Sequence, residues 1–127
     1  MFRKPIFYLT SLVFLASCSK KSGDSKDTSP PVITIVSPLN NQIFTAGQTI
    51  QITVNASDND EVSELHIQVI NKTTGELLRL IHSFLGQASG TAHDSFIAQA
   101  GLTYIIEIIA QDPAQNLAKS QVEVSGS

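Results

Sequence analysis

Acidic side chains are concentrated in one short stretch of the sequence, and one further aspartate near its end is a candidate to join them. Asp58, Asp60 and Glu61 lie within the run Ser57-Asp-Asn-Asp-Glu61, and Asp112 follows a later apolar segment. If the segments before these residues are paired strands of a two-sheet sandwich, both acidic loops lie at the same end of it. Carboxylate and backbone carbonyl oxygens are the ligands that calcium prefers. These four acidic residues are therefore candidate calcium ligands.

The spacing does not match a helix-loop-helix calcium loop, and a simpler interpretation is open. Counted from Asp58, the sixth position is Ser63, where such a loop needs glycine, and the twelfth is Val69, where it needs glutamate. Asp and Asn side chains also cap turns by bonding to nearby backbone N–H groups. The acidic loops are thus explained either by calcium or by turn formation.

Three histidines are candidate zinc ligands: His66, His82 and His93. If Asn71 pairs with Glu76 across a hairpin, one face collects the apolar residues Leu65, Ile67, Val69, Leu78 and Leu80. His82 then points toward the core and His66 points outward, opposite Ile81. The alternative register would bury Arg79 opposite Val69, which is unfavourable. We therefore expect His66 and His82 on different faces and no zinc site between them.

The run His93-Asp94-Ser95 contains three residue types of hydrolytic enzymes. Neighbours on a strand point to opposite faces, so this run cannot form a nucleophile, a base and an orienting group in one chain of hydrogen bonds. The sequence contains no nucleophile elbow and no glycine-rich phosphate loop. We expect a protein that is not an enzyme.

Apolar and polar residues alternate with period two through most of the chain after Val32. In Thr49–Ala56, for example, Ile50, Ile52 and Val54 fall on one face of a half-buried strand. Similar segments with turn residues between them predict seven or eight short strands, near 32–36, 42–45, 49–56, 62–70, 77–84, 91–98, 104–111 and 118–124. Helical periodicity is absent, so the sequence predicts an all-β sandwich.

A second set of apolar residues falls on the opposite, outward side of the predicted strands: Ile70, Leu77, Ile81, Ile105 and Ile109. A contiguous apolar patch of this kind marks a surface for a protein partner. The same residues are also explained as scattered β-branched side chains chosen for strand propensity. Both interpretations stay open.

The composition restricts the partners. From Pro30 onward three basic residues stand against nine acidic ones, a net charge of −6, which disfavours nucleic acid and anionic lipid. Cys18 is the only cysteine, so the domain has neither a disulfide nor a thiol nucleophile. After Cys18 the chain has no Trp and one Tyr, and we expect Phe44, Phe84 and Phe96 in the core. Carbohydrate binding is then open only through polar loops.

The N-terminus has the order of a secretory signal peptide. Arg3 and Lys4 precede the apolar run 6–15, which is too short to span a bilayer. The stretch Leu15-Ala16-Ser17-Cys18 resembles the bacterial lipobox, which implies removal of residues 1–17 and attachment of acyl chains to Cys18. By similarity to lipoprotein sorting rules, Ser19 favours the outer membrane as the destination. It does not determine whether the domain faces the periplasm or the cell exterior. Residues 18–30 are polar and predict a disordered tether.

Three motifs resemble those of bacterial immunoglobulin-like and fibronectin-like domains over residues 31–124. They are Pro30-Pro-Val-Ile-Thr-Ile-Val-Ser-Pro38, Ala100-Gly-Leu-Thr-Tyr104 and the strand-turn-strand segment from Ile106 to Ala118. The resemblance implies an Ig-like antiparallel sandwich of about seven strands over 31–127, with Tyr104 as its structural tyrosine corner. These motifs are specific for the fold and poor for function. From the anchor and the candidate sites we expect a non-enzymatic module that binds an envelope protein or glycan, or a calcium-stabilised adhesion-type domain.

Overall fold

The computed structural model describes residues 25–127, which form six β-strands. The predicted signal peptide and Cys18 lie outside the described residues. The strands are β1 (Val32–Ser37), β2 (Gln42–Phe44), β3 (Thr49–Asn71), β4 (Leu77–Ile97), β5 (Thr103–Gln111) and β6 (Leu117–Gly126). Within this part of the chain, no helix has the length and apolar character needed to cross a membrane.

Two strands, β3 and β4, are long enough to belong to both layers of a sandwich. Residues 49–57 of β3 pair with residues 89–97 of β4, and residues 53–57 also pair with β1, which gives a smaller sheet. Residues 62–71 of β3 pair with β5 and with residues 77–87 of β4, and this larger sheet continues to β6 and β2. The register shifts between Ser57 and Val62, where β3 passes from one sheet to the other. Each long strand thus contains two of the predicted segments.

The inner faces of the two sheets carry the core. From the smaller sheet come Ile50, Ile52, Val54 and Ala56, and from the larger sheet Leu65, Ile67, Val69, Ile106 and Ile108, all of them buried. They alternate with more exposed neighbours, as the period-two pattern predicts. The predicted all-β sandwich is confirmed.

The β3–β4 hairpin begins with the predicted pairing and then departs from it. The backbone N–H of Asn71 donates to the carbonyl of Glu76 at 2.8 Å, and Ile70 pairs with Leu77. Val69, however, pairs with Arg79, so Leu78 is an extra residue on β4. A bulge of one residue moves every later side chain of β4 to the opposite face.

An ion pair compensates for the inward position of Arg79. Its Nε and Nη2 atoms donate to the two carboxylate oxygens of Asp94 at 2.6 and 2.8 Å. Asp94 lies opposite Ile52 in the smaller sheet, so the pair joins the two sheets. The Asp94 side chain is 8% exposed and that of Arg79 is 43% exposed. Burial alone raises the pKa of Asp94, but hydrogen bonds from Arg79 and the Ser95 backbone outweigh it and hold that pKa below its usual value.

Three sequence predictions are wrong because of this bulge. His66 pairs directly with His82, so both imidazoles lie on the outer face of the larger sheet. Ile81 pairs with Ile67 and packs against the core instead of facing outward. Phe84 was expected in the core but is 77% exposed.

Tyr104 closes the sandwich beside the end of β6. Its hydroxyl accepts a hydrogen bond from the backbone N–H of Gln99 at 3.0 Å, as a tyrosine corner does. Gly126 lies against the same segment, and a Cβ there would be 2.1 Å from the carbonyl oxygen of Gln99. Only glycine permits this close approach, which allows the end of β6 to pack against the backbone at the tyrosine corner.

The cross-sheet ion pair gives a first prediction. Asp94→Ala should lower the free energy of unfolding at pH 7 by about 1–2 kcal/mol, because charge-assisted hydrogen bonds contribute about that much and partial exposure of Arg79 weakens them. Urea denaturation measures the loss. Glu123→Ala is the control, since the Lys72–Glu123 pair is exposed on both sides and should change stability by about 0.5 kcal/mol or less.

The pH dependence of the same pair has a defined sign. Because the pKa of Asp94 is lowered by folding, its stabilisation is present above the ordinary pKa of Asp and is lost as the pH falls through the lowered value. The difference between wild type and Asp94→Ala should therefore shrink below about pH 4. A difference that is constant down to pH 2 would contradict an electrostatic origin.

Candidate functional site

Three carboxylates meet at one end of the sandwich. Oxygen atoms of Asp27, Asp58 and Asp112 all lie within 4.8 Å of one another. Asp58 follows the first half of β3, Asp112 follows β5, and Asp27 precedes β1. We call these three residues the acidic cluster.

Asp58 holds one oxygen for its own turn and leaves the other free. Its Oδ1 accepts hydrogen bonds from the backbone N–H groups of Asp60 and Glu61 at 3.0 and 3.2 Å. Its Oδ2 is buried and has no hydrogen-bond partner among residues 25–127. A buried acceptor without a partner is unfavourable, so this oxygen is suited to a cation.

Asp112 is the most deeply buried member of the acidic cluster, at 1% exposure. Its two oxygens accept hydrogen bonds from the backbone and side-chain nitrogens of Asn116, at 2.8 and 2.7 Å. The same side-chain nitrogen of Asn116 donates to the backbone carbonyl of Asp27 at 2.9 Å. Asn116 therefore orients two members of the cluster.

Asp27 was missed because it lies in the segment predicted as a disordered tether. In the structure its Oδ2 accepts a hydrogen bond from Asn59 at 3.1 Å, so contacts with the domain begin before β1. The pairing of β1 with β3 would have indicated the position of Asp27. Val32 pairs antiparallel with Ser57, so the residues before Val32 lie beside those after Ser57.

The structure brings together only part of the predicted calcium set. Asp58 and Asp112 meet, whereas the side chains of Asp60 and Glu61 lie outside the acidic cluster. Within residues 25–127 no lysine, arginine or histidine forms an ion pair with the three clustered carboxylates. A bound cation would relieve the mutual repulsion of these carboxylates.

The outer face of the larger sheet carries the predicted partner residues in two separate places. Ile70, Leu77 and Ile105 occupy neighbouring strand positions near the turn. Ile109 lies beside His66, beyond the polar pair Gln68 and Glu107. The predicted patch is therefore interrupted.

A different apolar row follows β4, the outermost strand of the larger sheet. It consists of Leu77, Leu80 and Phe84, which are all exposed on the outer face; we call it the edge strip. Among the described residues, β4 pairs only with β3, so its other backbone edge has no strand beside it. No Lys, Arg, Asp or Glu lies between Leu80 and Ala92 to protect that edge.

The residues of the run 93–95 point in alternate directions and do not form a catalytic chain. His93 Nδ1 lies 3.3 Å from the hydroxyl of Thr53, whereas Asp94 bonds to Arg79 on the inner side.

A groove of about 320 Å³ opens near this ion pair and is lined mainly by apolar residues, with Arg79 as its one charged residue.

Comparison with solved structures gives weak sequence identity and a shared fold. A fibronectin(III)-like module of CbhA from Clostridium thermocellum has a TM-score of 0.51 at 21% identity, covering 75% of this chain and 94% of that one. A superoxide reductase from Ignicoccus hospitalis has a TM-score of 0.55 at 12% identity, with 77% and 80% covered. CopC from Methylosinus trichosporium OB3b has a TM-score of 0.53 at 13% identity, with 76% and 94% covered. At these identities the likeness shows the fold alone.

The sequence itself identifies the family. No curated protein matches the chain at a significant level. A family model described as a bacterial Ig domain matches residues 31–95, which is more than half of the chain. Its span includes β1, β2, β3 and most of β4, and so covers the β3–β4 hairpin and nearly all of the smaller sheet. The chain belongs to the bacterial Ig domain family.

Proposed function

We propose that this protein is a lipid-anchored, non-enzymatic binding module of the bacterial cell envelope that holds a protein partner on its edge strip. The exposed edge of β4 is the observation that carries the binding role. Strands with an unpaired backbone edge accept an extended segment of another protein by strand addition. Exposed apolar residues beside that edge give such a segment a surface for its own apolar side chains.

Phe84 supports this proposal most strongly. A phenylalanine that is 77% exposed leaves a large apolar area in water, and burying that area on a partner is favourable by about 25 cal/mol per Å². Leu80 lies four residues before it on the same face of β4, with His82 between them. The acidic character of the domain favours a neutral or basic partner segment over an acidic one.

The anchoring part of the proposal rests on the sequence around Cys18. The order of basic residues, apolar run and lipobox-like stretch is that of a lipoprotein precursor. Two or three acyl chains hold a protein firmly on a membrane, because each buried CH₂ contributes about 0.8 kcal/mol. Ser19 supports the outer membrane as the destination.

Calcium binding at the acidic cluster is a second candidate function. The buried, unpartnered Oδ2 of Asp58 is the specific observation that favours it. A cation there would contact carboxylates from three separate segments and would fix the segment before β1, at Asp27, to the loop after β5, at Asp112. Rigid loop ends of this kind suit an adhesion-type domain.

The anchoring proposal predicts a modified N-terminus. In bacteria supplied with an alkyne analogue of palmitate, the wild-type chain should become labelled and its mature form should begin at Cys18. The variant Cys18→Ser lacks the thiol that receives the lipid and should remain unlabelled. An unmodified mature chain that begins elsewhere would contradict this proposal; mass spectrometry of the N-terminal peptide distinguishes the two.

The binding proposal predicts that capture depends on the edge strip. Phe84→Ser should abolish cross-linking of an envelope protein to the full chain, because it removes the largest exposed apolar group on β4. Leu39→Ser is the matched control, since Leu39 is also strongly exposed but precedes β2. Equal cross-linking by wild type and Phe84→Ser, measured by quantitative mass spectrometry, would rule out this face.

The calcium candidate predicts a change in thermal stability. A ligand that binds only the folded state stabilises it by about 2.7 kcal/mol at a hundred times its dissociation constant. Millimolar calcium should therefore raise the thermal midpoint of the full chain by several degrees relative to chelator, and Asp58→Asn should abolish the rise. Asp60→Asn, outside the acidic cluster, should keep it. A midpoint that is insensitive to calcium would remove this candidate.

A further inference from the structure

Both sheets end at β4, and the outer edge of this strand is free. β4 lies beside β3 in the smaller sheet and again in the larger sheet, and no strand among residues 25–127 pairs with its other side. The free backbone edge extends over the whole strand, Leu77–Ile97, which has 21 residues. An edge of this length presents a row of unpaired N–H and C=O groups to which a further strand can bind.

The opposite ends of the two sheets are protected in ways that β4 is not. The smaller sheet ends at β1, which has six residues, lies between Pro31 and Pro38, and shifts its register between Ile35 and Ser37. The larger sheet ends at β2, which has three residues. Shortness, proline and irregular pairing all discourage strand addition. β4 is long and contains no proline, so among the described strands its edge is the most open to a partner.

β4 also carries no net charge. Its charged residues are Arg79 and Asp94, which bond to each other. The domain as a whole has a net charge of −6 from Pro30 onward, but Glu107 and Glu123 lie on β5 and β6, on the far side of β3. Two copies of the chain can therefore meet along β4 without bringing these carboxylates together, whereas a strongly charged segment gains no attraction from the strand.

The outer face of β4 is complementary to itself. Residues 79–84 pair with β3 without irregularity, so this part of the strand is regular. If it pairs antiparallel with its own copy about a two-fold axis at His82, Leu80 lies opposite Phe84 of the partner subunit, and Phe84 lies opposite the partner's Leu80. Side chains that face each other in this way are in contact. Glu64, which lies beside Phe84 on β3, stays one strand back from the contact.

We propose that the edge strip binds a second copy of this chain, through antiparallel pairing of residues 79–85 of β4 with the same residues of the copy. This inference rests on the binding role proposed for the edge strip and names its occupant. The larger sheets of the two copies would join into one continuous sheet, which removes a free edge from each copy. Lipid anchors would hold the copies on one membrane surface and so raise their effective concentration.

Disulfide cross-linking of the full chain in bacterial membranes tests this pairing. His82→Cys should give a disulfide-linked dimer under a mild oxidant, because a residue on the two-fold axis faces its own copy. Leu80→Cys alone should not, because the two copies of position 80 would be about 13 Å apart, four residues along the strand. A mixture of Leu80→Cys chains and Phe84→Cys chains should cross-link again, since these two positions face each other.

Two chains serve as controls. The wild-type chain reveals any cross-link formed by an unmodified Cys18, and Leu39→Cys reveals random collisions at an exposed position outside the edge strip. Adding Phe84→Ser to His82→Cys should lower the cross-linked fraction by about tenfold, as removal of a central aromatic anchor does at an interface. Mass spectrometry of the linked peptides identifies the residues that have reacted.

The outcomes separate this inference from the proposed function. A His82→Cys chain that stays monomeric, or a Leu80→Cys chain that cross-links as readily, would overturn the second copy as the occupant. If a different envelope protein is then captured in a way that depends on Phe84, the edge strip keeps its binding role with another partner. Cross-linking that Phe84→Ser leaves unchanged would contradict the binding role itself.

Discussion

The single extra residue at Leu78 is the constraint on which the outer face depends. It lets the hairpin keep its Asn71–Glu76 turn and then rotates the rest of β4 by one position. Ile81 consequently packs into the core, while His82 and Phe84 reach the outer face. The rotation also turns Arg79 toward the facing sheet, where its side chain stays 43% exposed and reaches Asp94, which is 8% exposed. A carboxylate that is this deeply buried needs a partner, and Arg79 supplies it, so the ion pair and the bulge stabilise each other.

The alternation of apolar and polar residues predicted the strands and the core, because the pattern within each strand indicates which face of that strand is buried. Ile50, Ile52 and Val54 are buried as expected, and so are Leu65 and Ile67. The register of β4 was not predictable in the same way. The sequence indicated that an inward Arg79 is unfavourable, but it did not indicate the ion pair with Asp94. The reason is that Asp94 lies on the other half of β4, in the opposite sheet. Without that partner, the charge of Arg79 favours the wrong register of β3 and β4. The wrong register places His66 and His82 on different faces of the sheet.

The acidic end illustrates the same limit on a smaller scale. Asp58 and Asp112 were predicted together because loops after paired strands share one end of a sandwich. Asp27 was not predicted, because a polar segment without apolar residues has no hydrophobic periodicity from which its position could be inferred. Its position follows only from the antiparallel pairing of Val32 with Ser57. Because Asp27 belongs to the segment that leads toward Cys18, its contacts with Asn59 and Asn116 fix how the domain meets its tether.

The central claim is that β3 and β4 pair in the shifted register beyond Leu78. Nuclear Overhauser effects between backbone protons across the hairpin measure that register directly. The shifted register predicts effects that link Leu65 with Ser83, His66 with His82 and Ile67 with Ile81. Effects that instead link His66 with Ile81 would contradict it, since Arg79 would then face outward and His66 would not lie beside His82.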